Sequence, residues 1–118
     1  MKAVVLGGLA AACLGLSGAR AGEVDGPGTR VRVIGPRAEQ AWELEMVGGE
    51  VAVVGVTGDG GTDLDLVVED AKGRVVARSA GPTDVEEVRW RPPCTQAYRV
   101  KVINRSRTTA NRYVLRWN

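Results

Sequence analysis

The chain is 118 residues long, carries 16 Lys and Arg against 14 Asp and Glu, and has no histidine. This length supports one domain around one core, and the absence of His excludes Ser-His-Asp and Cys-His catalysis and His-ligated zinc. Lys2 and Arg20 supply the whole charge excess, so the remainder is balanced and offers no net positive field for nucleic acid or an anionic membrane.

Met1-Lys2 and the almost wholly apolar or glycine stretch Ala3 to Leu16 run into Ser17-Gly18-Ala19-Arg20-Ala21. A basic start, a short apolar stretch and small residues before a cut read as a bacterial export signal over 1–21, with delivery to the periplasm or the exterior. At about 14 residues the apolar stretch falls short of the ~20 that span a bilayer. The rival processing route is lipidation at Cys13, because Leu9-Ala10-Ala11-Ala12-Cys13 loosely resembles the lipobox of bacterial lipoproteins. Without that anchor no membrane contact is expected. Cleavage after Ala21 removes Cys13, one of only two cysteines, so the mature chain is expected to hold no internal disulfide. At Cys94, in the turn-like Pro92-Pro93-Cys94-Thr95, an intermolecular disulfide is the alternative to a silent thiol.

Residues 22–28 read as a flexible mature N-terminus, and 29–118 as one domain of short strands bounded by Gly, Pro and Asx punctuation. Thr29 to Ile34 comes first and ends at Gly35-Pro36. Gln40 to Val47 alternates Trp42, Leu44 and Met46 against Ala41, Glu43 and Glu45, the period of a half-buried strand. Val51 to Val56 is a β-branched run suited to a sandwich interior. Asp63 to Glu69 pairs with Arg74 to Ser79 through Asp70-Ala71-Lys72-Gly73, where Gly73 supplies a positive φ. Val85 to Arg91 sets Glu86, Val88 and Trp90 against Val85, Glu87, Arg89 and Arg91 before Pro92-Pro93 stops the pairing. Ala97 to Asn104 sets Tyr98, Val100 and Val102 against Arg99, Lys101 and Ile103. Asn111 to Trp117 gathers Tyr113, Leu115 and Trp117. About eight such strands predict an all-β, antiparallel two-sheet β-sandwich, jelly-roll-like, because an open sheet would leave one face of Val and Trp in water.

The order and spacing of several pieces resemble the bacterial pre-peptidase C-terminal domain. These are Gly58-Asp59-Gly60-Gly61-Thr62-Asp63-Leu64-Asp65-Leu66, Asp70 and Gly73, Val88-Arg89-Trp90-Arg91-Pro92, Tyr98-Arg99-Val100-Lys101-Val102-Ile103-Asn104 and Asn111-Arg112-Tyr113-Val114-Leu115. The resemblance implies a secreted sandwich, found appended to proteases or standing alone; some members bind insoluble protein or polysaccharide and some bind calcium. Gln96 stands where that family commonly has Gly, and Val67 where it commonly has Tyr.

Asp59, Asp63, Asp65, Glu69 and Asp70 form the densest acidic group, and Asp59, Asp63 and Asp65 are the candidate ligands of a calcium ion, the one cofactor considered. The competing expectation is that these side chains cap turns and bond loop amides. Glu86 and Glu87 point to opposite faces and cannot share acid and base duties, and no enzymatic activity is expected. Arg89, Arg91, Arg99, Lys101 and Arg116 share outward parity on three strands, with Arg105, Arg107 and Arg112 between the last two, and form a candidate basic face for an anionic polymer. Trp42, Trp90 and Trp117 share parity with aliphatic residues and are expected in the core rather than on a sugar-stacking platform. The function expected is a secreted non-catalytic module binding extracellular protein or polysaccharide. The alternatives are a docking or inhibitory partner of a secreted protease and a calcium-stabilised structural module.

Overall fold

The computed structural model describes residues 21–118, so the export signal and Cys13 lie outside the described residues. Eight strands follow one another with no helix among the described residues: β1 (Gly28–Ile34), β2 (Glu39–Met46), β3 (Ala52–Thr57), β4 (Leu64–Glu69), β5 (Val75–Ser79), β6 (Val85–Trp90), β7 (Gln96–Asn104) and β8 (Asn111–Trp117). They form two antiparallel four-stranded sheets, β1-β8-β3-β6 and β2-β7-β4-β5, the strand order of a jelly roll.

Period-two alternation decides which side chains meet between the sheets. Leu44, Met46, Val54, Val56, Leu64, Leu66, Val68, Val88, Tyr98, Val100, Val102, Tyr113 and Leu115 form one buried cluster, with Trp42, Trp90 and Trp117 packed against its margin. Each fully buried aliphatic side chain contributes about 1.5–3 kcal/mol relative to exposure. Tyr113 also ties the layers together. Its hydroxyl accepts a hydrogen bond from Trp42 Nε1 at 3.0 Å and donates to Gln40 Oε1 at 2.6 Å, while Gln40 Nε2 donates to the Val33 carbonyl at 2.9 Å.

The β4–β5 hairpin closes as its residues require. Gly73 has φ 80°, and Asp70 Oδ1 accepts from the amides of Lys72 and Arg74 at 2.9 Å each. Desolvation acts to raise the Asp70 pKa, but the Arg74 and Lys72 amides and the Arg74 guanidinium outweigh it and hold the carboxyl below its ordinary value.

Residues 22–28 are not a loose tail, which corrects the expectation of flexibility. Glu23 bridges Met46, its amide reaches the Asn118 carbonyl at 2.7 Å, and the Val47 amide reaches the Gly22 carbonyl at 2.7 Å. Glycine and proline content reads locally as linker; these bonds go to Met46, Val47 and Asn118, far away in the chain. Cys94 is disulfide-bonded. The expectation of no internal disulfide in the mature chain turns on the removal of Cys13, which lies outside the described residues.

Candidate functional site

The calcium candidates do not converge. Asp59 turns its carboxylate to backbone donors, accepting from the Gly61 amide at 3.2 Å and the Arg112 amide at 3.1 Å. Asp65 lies buried on β4 and is held by Arg105 Nε at 2.6 Å. Asp63 Oδ1 is buried with no hydrogen-bond partner. Burial first, then the negative charges of Asp65 and Glu86, push the Asp63 pKa up, opposed by Arg105. Among the described residues, no group of three or more Asp, Glu, His or Cys is arranged to hold a metal. Shared strand parity brought Asp63 and Asp65 near one another, but a cation already occupies Asp65.

Two further buried acids stand nearby, of which only Glu86 is named from the sequence. Asp84 accepts from the Gly60 amide at 2.6 Å and from Asn111 Nδ2 at 3.1 Å, while Glu86 accepts from Ser79 Oγ and from the Gly81 amide. Both serve as loop anchors. Glu86 was legible as an inward residue of β6; Asp84 carried no local signal.

The expected basic face divides between the two sheets. Arg99 and Lys101 stand on β7, in sheet β2-β7-β4-β5, whereas Arg89 is on β6 and Arg116 on β8, in the other sheet. Alternation reports inward or outward, not which layer a strand joins, so equal parity placed these residues on opposite outsides of the sandwich. The β7 cations are also neutralised. Arg99 meets Glu43 at 3.2 Å, and Lys101 sits between Glu69 at 2.9 Å and Glu39 at 3.6 Å. The hydrogen bond to Glu69 holds the Lys101 ammonium above its ordinary pKa against desolvation. Lys101, Glu69 and Glu39, with Asp65, Arg105 and Arg78, line a depression of about 290 Å³ whose charges largely cancel. Arg91 is drawn off to the Gly49 carbonyl at 2.6 Å.

The outside of sheet β1-β8-β3-β6 is different in kind. Strand register aligns Val31 with Val114, Val114 with Thr57, and Thr57 with Val85, a row crossing all four strands over about 14 Å. Val31 is 52%, Val33 57% and Val85 60% exposed. The neighbouring row runs Thr29, Arg116, Gly55, Glu87, and Gly55 leaves its centre without a side chain. The face is therefore partly apolar, with exposed valines on β1 and β6 and half-buried Val114 and Thr57 between them.

The three indoles are not available for stacking. Arg32 lies 4.2 Å from the Trp42 ring centroid and Arg30 5.5 Å from that of Trp117, while Trp90 packs edge-on to Tyr98 at 5.2 Å. No protein-family model matches the chain, nor does any curated protein. The fold is similar to the crystal structure of PliG from Aeromonas hydrophila, a periplasmic inhibitor of g-type lysozyme, with a TM-score of 0.59 and 13% identity over 87% of this chain and 91% of that one.

Proposed function

We propose that this chain is an exported, non-catalytic binding module that docks a folded protein, an exported hydrolase, through the outer face of sheet β1-β8-β3-β6. The observation that carries this reading is the row of Val31, Val114, Thr57 and Val85, exposed at both ends. Apolar side chains on a sheet face favour association with another surface. The lack of histidine and the engagement of most carboxylates of the acidic loops in hydrogen bonds or ion pairs leave no acid, base or nucleophile constellation to argue for turnover. Covered indoles favour a protein partner over a glycan, since sugars are held by exposed rings. PliG, a periplasmic inhibitor of g-type lysozyme, has a similar fold, and the pre-peptidase resemblance of Gly58 to Leu66 also joins such sandwiches to proteases.

The test is calorimetric titration and inhibition assay of the purified chain against a g-type lysozyme and a secreted protease. Binding of one of them, weakened at least tenfold by Val85→Asp or Val31→Asp with the melting temperature kept, is the expected result. Binding of neither enzyme, or binding indifferent to both substitutions, overturns the reading.

A further inference from the structure

The charges of the same face specify the partner further, an inference that rests on the docking reading. Strands β1 and β8 carry Arg30, Arg32, Arg112 and Arg116 and not one Asp or Glu. All four arginines are exposed, and none joins an ion pair with a described residue. Arg116 donates to Thr57 Oγ1 at 3.1 Å and Arg30 to the Thr29 carbonyl at 2.8 Å. The two acids that touch β8 are engaged by other donors, Asp59 by the Gly61 and Arg112 amides and Asp84 by the Gly60 amide and Asn111 Nδ2. On β7 of the other sheet Arg99 and Lys101 have carboxylate partners, as does Arg105 just past its end, and on this sheet Arg89 of β6 is paired with Glu87, so the unpaired arginines of this face are those of β8.

Register places these charges around the valines. Val33 stands beside Arg112, Val31 beside Val114 and Thr29 beside Arg116, so the two outward arginines of β8 lie at the ends of a short apolar centre, about 13 Å apart. Arg30 and Arg32 lie on the opposite side of β1, in register with the inward Leu115 and Tyr113 and stacked on Trp117 and Trp42, so they belong to the margin of the sandwich and not to this face. We infer that the docked partner is a protein surface in which carboxylates flank a small apolar patch, read by Arg112 and Arg116 at the two ends of the valines on the outer face. An apolar centre with a charged rim is the usual anatomy of a protein interface, and uncompensated arginines gain bidentate carboxylate partners there.

Strand addition is not the mode of contact. The Gln40 side chain occupies the Val33 carbonyl and Arg30 occupies that of Thr29, so the edge of β1 is already partly satisfied. The face, rather than the edge, receives the partner.

The experiment is a titration of the 15N-labelled chain with three probes: a peptide alternating Asp and Leu, its Lys-for-Asp analogue, and oligogalacturonate. The Asp peptide is expected to shift the amides of 29–33 and 112–116 and leave those of 97–101 still. Its affinity should fall severalfold between about 20 and about 200 mM salt, and roughly tenfold more in Arg112→Glu with Arg116→Glu. Arg99→Glu should change nothing, and unchanged melting temperatures guard against misfolding. Equal binding of the Lys peptide, shifts centred on Arg99, or tighter binding of oligogalacturonate than of the Asp peptide overturns the inference, the last in favour of a glycan. If a hydrolase docks through the valines but ignores salt and both arginine reversals, this inference fails while the docking reading stands. If the Asp peptide behaves as expected and neither enzyme binds, the reverse holds.

Discussion

Tyr113→Phe removes one oxygen from a fully buried ring and breaks the hydrogen-bonded chain that runs from Trp42 through that hydroxyl to Gln40. The hydroxyl makes two hydrogen bonds, one from Trp42 Nε1 and one to Gln40 Oε1. Each is worth about 1 kcal/mol net, and a half-buried indole N–H left unsatisfied adds up to about 1 kcal/mol more. Phe refills the ring volume, so no cavity term arises. The expected loss is about 2–3 kcal/mol, and at about 4–8 °C per kcal/mol for a domain of this size the melting temperature should drop by ~10–20 °C. Gln40 also loses the constraint that aims its amide at the Val33 carbonyl, so amide exchange in 31–33 should accelerate more than global destabilisation requires. Guanidinium unfolding with an unchanged m-value measures the first effect and hydrogen exchange the second. A loss below about 0.5 kcal/mol would refute the reasoning, since it would mean that the buried chain contributes no more than water would.

Three further outcomes are expected. The raised pKa of Asp63 means that its ionised form is disfavoured in the folded state: the associated stability is intact below the unfolded value of 3.8 and lost as pH rises through the folded pKa. Asp63→Asn should therefore raise the melting temperature near neutral pH, with the gain disappearing at about pH 3; a gain that persists there would contradict the assignment. At Gly48 an added Cβ would meet the Cys94 backbone and lie 2.6 Å from Thr95 N, so Gly48→Ala should cost at least ~2 kcal/mol in chemical denaturation, against near neutrality at Gly35, where a Cβ meets nothing. Chelator should leave the melting temperature unchanged, because Asp59 and Asp65 already have amide or arginine partners; a fall of several degrees reversed by calcium would restore the metal reading.

Eight strands and their inward and outward residues were readable because alternation is a property of a few consecutive residues. Tyr98, Val100 and Val102 had to face one way and Arg99 and Lys101 the other, whatever lay across from them, and the Asp70 to Gly73 turn closes on its own amides. Partnership is not local in this sense. Nothing near Arg116 says that β8 runs between β1 and β3 while β7 runs between β2 and β4, and the supposed single basic face was lost at that point. The same applies to Asp65, whose ligand capacity depends on Arg105 forty residues on, and to Glu23, which meets Met46. Side-chain pattern along one strand chooses the layer's two sides; long-range pairing between strands chooses the neighbours. It is the neighbours that neutralise Arg99 and leave the guanidinium groups of Arg112 and Arg116 without a carboxylate among the described residues.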